Sequence, residues 1–169
     1  MENKLIQNDI DLDIKYHPEI KGLQIINGKN NFPISWLNKQ GYCEYSIYLE
    51  HFEGISTAPT QAMLTGSKEH EKLEDKFKET ATPSTFDDAC ELSREKEILS
   101  REMYVVDVEN GIRGYIDEIW MTPTQIVIID DKPGNRAYAS TIHQVLAYCL
   151  AFKNMVGDDK RRIIGALRE

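Results

Sequence analysis

The fold turns on residues 112–132, IRGYIDEIWMTPTQIVIIDDK. Two runs rich in β-branched and aromatic residues, IRGYIDEIW and QIVIIDD, are punctuated by Thr122-Pro123, and the pattern predicts two neighbouring strands. A third such run, REMYVVDVEN, precedes them, and Asn110-Gly111 between the runs is a hairpin signal. Pro133-Gly134 ends the last of the three. From about Tyr138 to Val156 the period becomes helical, with Ile142, Val145, Leu146, Cys149 and Val156 as the expected buried stripe. The final run, RRIIGALRE, reads as another strand.

Upstream of these strands the texture is helical. Residues from Ser35 to about Phe52 read as a helix with Ser35 as its N-cap and Gly41 weakening its middle. ISTAPTQAMLTG reads as a loop. SKEHEKLEDKFKE reads as a helix with His70, Leu73 and Phe77 on one face and charges over the rest. TATPST breaks the chain before a polar helix from Phe86 to about Leu99. The order of helices, three strands, a helix and a strand predicts an α/β fold with a central mixed sheet flanked by helices. A single domain over residues 1–169 is expected, with 1–34 as an extension and 35–169 as the core.

Composition narrows the class. The 169 residues are 41% hydrophobic and 28% charged, as in an ordinary globular domain. No stretch approaches the apolar length that spans a bilayer, and the N-terminal residues lack the basic-then-apolar pattern of a secretion signal. Cys43, Cys90 and Cys149 stand far apart, which argues against a disulfide framework and for a cytoplasmic setting. The net charge of −8 runs against phosphate binding in general. Acids gathered around a divalent cation reverse that logic locally.

Such a gathering is what the strands predict. Asp117 lies on one strand, and Asp130 and Lys132 share a face at the end of the next, with Asp131 pointing away. Two carboxylates converging beside a lysine are costly unless a cation neutralises them. Carboxylate oxygens suit Mg²⁺ or Mn²⁺, and the imidazole of His70, on the apolar side of its helix, shifts the preference towards Mn²⁺. The expected metal ligands are therefore His70, Asp117 and Asp130. Such a site polarises a phosphoryl oxygen and activates water, with Lys132 stabilising charge on the phosphate. Gln144 and Tyr148, one helical turn apart, reach the lysine or a DNA backbone from one side.

These residues fall into an ordered series: G-x-x-x-H from Gly66 to His70, G-x-x-D from Gly114 to Asp117, D-x-K from Asp130 to Lys132, and Q-x-x-x-Y from Gln144 to Tyr148. The series resembles that of RecB-like PD-(D/E)XK nucleases. The upstream piece ISWLNKQGYCEY resembles the N-terminal segment of the CRISPR-associated RecB-like exonucleases. The resemblance implies a restriction-endonuclease-like fold and a metal-dependent DNA exonuclease acting on single strands or frayed duplex ends. It implies products with a 5′-phosphate and a 3′-hydroxyl, and a role in trimming spacer precursors beside a CRISPR integrase complex. In that family a cysteine at the place of Cys43 is the first ligand of a [4Fe–4S] cluster. The other three ligands lie in a C-terminal segment after the nuclease core, which this chain, stopping at Glu169, is expected to lack, either as a shortened chain or as one of a cluster-free branch. One cysteine cannot hold such a cluster, so none is expected.

Several residues admit two readings. Trp36, Tyr42, Tyr45 and Tyr48 either stack bases or pack a core. Glu71 and Glu118 are expected as bystanders, with Glu71 the better placed of the two to support the ligands from outside. At the level of the whole protein, the alternatives are a non-catalytic module that binds DNA ends or an integrase partner, and a structural mimic of a nuclease.

Overall fold

The computed structural model describes residues 1–56, 58–132 and 137–168. The chain opens with four strands, β1 (Glu2–Gln7), β2 (Ile14–Tyr16), β3 (Gln24–Ile26) and β4 (Lys29–Pro33). Helices α1 (Ser35–Tyr42), α2 (Glu44–His51) and α3 (Gln61–Lys78) follow. After β5 (Thr82–Thr85) and α4 (Phe86–Leu92) come the long strands β6 (Ile98–Asp107), β7 (Ile112–Met121) and β8 (Gln125–Asp131). Helix α5 (Ala139–Val156) and strand β9 (Arg162–Arg168) complete the order.

All nine strands among the described residues belong to one mixed sheet. Its main path is β2-β3-β4-β7-β6-β1-β5, and β8 joins β7 and carries β9. The hairpin expected at Asn110-Gly111 forms between β6 and β7, and β7 also pairs with its neighbour β8, both antiparallel. The parallel pairs are β1 with β5 and β6, β4 with β7, and β8 with β9 across α5. The α/β class, a mixed sheet flanked by helices, is therefore what the chain adopts. Ile98, Met103, Val105, Ile116, Ile119, Met121, Ile126 and Ile128 are fully buried with Phe152 of α5. Each such side chain stabilises the fold by about 1.5–3 kcal/mol. No helix among the described residues is long and apolar enough to cross a membrane.

One edge of β7 is shared by two strands. Parallel β4 pairs with its start (Phe32 with Ile112, Pro33 with Arg113), and antiparallel β8 pairs with its end, from Glu118 to Met121. The four residues between, Gly114 to Asp117, have no strand beside them on that edge among the described residues. The inside–outside alternation also shifts at this level. Buried Ile98 and Ser100 give way to buried Met103 and Val105 in β6, and buried Ile112 and Ile116 to Ile119 and Met121 in β7. Both odd steps fall near Glu102, which lies in the left-handed region at φ +51.

Several local expectations are corrected. The segment 1–34 supplies β1–β4, and Ile6, Ile26 and Ile34 within it are buried, so it is built into the sheet. Ser35 does not cap α1; it is the first helical residue, and the preceding Ile34 makes no side-chain cap. The expected single helix breaks at Cys43, whose backbone is extended. The loop expected through Gly66 ends at Thr60, which caps α3 by accepting a hydrogen bond from the Met63 N–H. TATPST contains β5, and the helix after it stops at Leu92 because residues from Ile98 pair in the sheet.

Helix α5 meets its expected stripe in part: Val145 is buried, and Cys149 and Val156 pack half-buried against the core. Ile142 and Leu146 are exposed, whereas Ser140, Thr141, Gln144, Val145, Tyr148, Ala151 and Phe152 are buried. Its polar edge points inward, because that edge meets the buried acid of β8 described next. In α3, likewise, Leu73 is exposed and Glu74 is half-buried. The inner face therefore runs through Gly66, His70, Glu74 and Phe77.

Candidate metal centre

The gap along β7 is where the expected residues converge. Asp117 stands at its end, with an Oδ2 that accepts a 2.8 Å hydrogen bond from the Asp131 main-chain N–H. That bond fixes the carboxylate across the mouth of the β7–β8 pair. Its other oxygen, Oδ1, lies 3.2 Å from Nε2 of His70, which α3 brings over the sheet. Asp130 is almost fully buried and approaches Asp117. Gln144 of α5 donates to its Oδ1 at 3.1 Å, and Lys132 Nζ stands 3.0 Å from its Oδ2. The structure thus brings His70, Asp117, Asp130, Lys132 and Gln144 into one chain of contacts.

Tyr148 joins them by a different route. Its ring packs against Gly114 so closely that a Cβ there would lie 2.9 Å from Cε1 and 3.2 Å from the phenol oxygen. A side chain at position 114 would push the tyrosine away. Two of the sequence motifs are therefore halves of one contact. Burial, with the charges of Asp117, Asp130 and Glu102 behind it, raises the Tyr148 phenol well above its ordinary pKa. The hydroxyl keeps its proton at neutral pH and remains a hydrogen-bond donor.

Glu102 belongs to none of the sequence motifs, yet its Oε1 lies 3.2 Å from the same His70 nitrogen that meets Asp117. Glu74, one turn beyond His70 on α3, completes a set in which His70, Glu74 and Glu102 could ligate one cation; His70, Asp117 and Asp131 form a second. Glu74 thus takes the supporting place expected for Glu71, which is exposed. Asp130 is in neither set, although it touches Asp117. Of the acids present, Asp131 is the least available. Arg101 and Arg168 both bind it, and both also bind Glu118, in a cluster that ties β6, β7, β8 and β9 together. Glu118 is accordingly a structural anchor.

Burial pushes Asp130 up to about 6, with Lys132 opposing and Asp117 reinforcing the rise. Glu102 is raised as well, chiefly by burial, with His70 opposing. Clustered acids that resist ionisation are the electrostatic setting a cation relieves. Three buried atoms here, His70 Nε2, Glu102 Oε1 and Asp130 Oδ2, have no hydrogen-bond partner among the described residues. Each nonetheless has a charged or ionisable neighbour: His70 Nε2 and Glu102 Oε1 lie 3.2 Å apart, and Asp130 Oδ2 lies 3.0 Å from Lys132 Nζ. An imidazole nitrogen and several carboxylate oxygens gathered this closely suit a divalent ion with mixed ligands, so the residues present fit one.

No family model matches the sequence, and no curated protein matches it either. Of the remaining sequence candidates, Cys43 is exposed at the α1–α2 break, far along the chain from Cys90 and Cys149, which are half-buried. Trp36 is half-buried and packs on His51 with ring centroids 4.2 Å apart. Tyr42, Tyr45 and Tyr48 are exposed.

Proposed function

We propose that this protein is a metal-dependent DNA nuclease with a restriction-endonuclease-like fold, hydrolysing phosphodiesters at the gap in the β7 edge. The observation that carries the reading is the meeting of Asp117, Asp130 and Lys132 from one hairpin with His70 from α3, which also faces Glu102. His70, Asp117 and Asp130 would hold Mn²⁺ or Mg²⁺, with Glu102 as a further ligand. Such a cation supplies Lewis-acid polarisation of a phosphoryl oxygen and water acidified for attack.

The protein's own groups do the rest. Lys132, held by Asp130, offers positive charge to a non-bridging phosphate oxygen as negative charge develops there. Gln144 and the Asp131 N–H fix the two carboxylates so that little reorganisation accompanies reaction. Tyr148 stays protonated and donates to the phosphate from the α5 side. Single-stranded DNA or frayed ends as substrate, spacer-precursor trimming and an integrase partner rest on the family resemblance. The same reading sets the protein in the cytoplasm, where free cysteines are ordinary.

The test is cleavage of end-labelled single- and double-stranded DNA with Mn²⁺, Mg²⁺ or EDTA. Metal-dependent cleavage is expected, falling at least about a hundredfold in Lys132→Ala and Asp117→Ala, as when a single transition-state donor is lost. A folded wild-type protein that cuts nothing under any condition overturns the reading. Binding of DNA ends without chemistry then takes its place.

A further inference from the structure

The centre opens into a cleft of ≈ 650 Å³ lined by His70, Glu102, Asp117 and Tyr148 at one end. The other end has a different character. Arg113 is the one cation among the described lining residues, and it stands with Tyr104 and Tyr115. Its guanidinium is buried, yet its partners are uncharged. Nη2 donates to the Gly22 carbonyl at 2.7 Å, and Nη1 donates to the main-chain and side-chain oxygens of Asn31. No carboxylate pairs with it among the described residues. A guanidinium has five N–H donors, more than these contacts use, and burying one without a counter-charge is costly. In a chain of net charge −8, an unpaired buried arginine in a cleft calls for an anion from outside.

Tyr115 lies between Arg113 and Asp117 on β7, at the intervening alternate position. Successive alternate residues are about 7 Å apart along a strand. Its ring is more than half exposed and is backed by Tyr104 directly across the β6–β7 pair, centroid to centroid 5.2 Å. Arg113, the exposed Tyr115 ring and Asp117 therefore follow one another along a single strand.

We propose that Arg113, Tyr115 and Tyr104 form a nucleotide subsite beside the metal centre, a step that rests on the nuclease reading. Arg113 takes a phosphate flanking the scissile one, and the Tyr115 ring, supported by Tyr104, stacks the base between them. A base is free to stack on a side chain only when it is unpaired, so the substrate class is single-stranded DNA.

The test separates this subsite from the chemistry. A short fluorescein-labelled oligothymidylate and an abasic strand of equal length are titrated in EDTA against wild type, Arg113→Lys and Tyr115→Ala, with folding checked by thermal melting. Arg113→Lys keeps the charge but loses the fork, and is expected to weaken both strands roughly tenfold. Tyr115→Ala, at an exposed position that folding tolerates, is expected to weaken the oligothymidylate roughly tenfold and leave the abasic strand unchanged. In the metal-dependent assay both variants raise KM more than they lower kcat. Equal binding by Tyr115→Ala and wild type overturns the subsite, even if wild type cuts DNA; so does a folded wild type that binds no strand. Strand binding that depends on Arg113 and Tyr115 in a protein that never cuts upholds the subsite and removes the nuclease reading instead.

Discussion

Asp130 shows how one residue can carry a cost for the site it serves. Its pKa is raised above the unfolded value, so its contribution to stability is fully present below the ordinary value near 3.8. That contribution is lost as pH rises through about 6. Asp130→Asn should therefore be more stable than wild type in EDTA at neutral pH, by up to about 3 kcal/mol. The advantage should shrink as pH falls towards 4, and urea melts across that range measure it. An advantage independent of pH would mean that the carboxylate is not held against its ionisation. This cost is legible in the sequence, because two acids gathered beside a lysine at a strand end are seldom stable without a cation. Glu102 is not legible in the same way. It lies in a run whose alternation looks regular, and what turns it inward is a backbone conformation that no local pattern announces.

Elements are legible where their apolar period is clean and obscure where polar residues face inward. The strands β6, β7, β8 and β9 alternate or run apolar, and their pattern alone predicts them. For helix α5 the pattern locates the element but not its whole face, since Ile142 and Leu146 point outward while Gln144 and Tyr148, beside the site, are buried with Val145. Short strands such as β2 and β5, mixed in composition, exist only through their partners. The contact between α1 and α5 offers a test at this scale. Gly41 reads as a weak point in α1, and Gly→Ala inside a helix ordinarily stabilises by about 1 kcal/mol. Here a Cβ would stand 2.3 Å from the Ser140 Cβ at the start of α5. Gly41→Ala should instead destabilise by about 1–3 kcal/mol, as overpacking does. Urea denaturation gives the sign, and a stabilised variant would mean that the two helices yield easily.

For the whole molecule, a ligand that binds only the folded chain reports on every contact at once. Mn²⁺ at about a hundred times its dissociation constant should add about 2.7 kcal/mol of stability. That corresponds to a rise of about 5 °C or more in Tm for a chain of this size. Asp117→Ala should abolish the rise, and an equal rise in that variant would place the ion elsewhere.

The double sharing of the β7 edge also bears on how the chain reaches this state. The β6–β7–β8 meander joins residues close in sequence and can form early. By contrast, β4 waits for β7 and β1 for β6, closures that span most of the preceding chain. During synthesis β1 and β4 leave the ribosome long before β6 and β7 exist, although β4 can pair at once with β3. The contacts of β1 with β6 and of β4 with β7 are the late ones, and His70, carried on the intervening helix, reaches the acids in that closure. Capture of its imidazole by Asp117 is then a late event. A slow folding phase seen by His70 but not by the meander is the kinetic trace that this sheet order leaves.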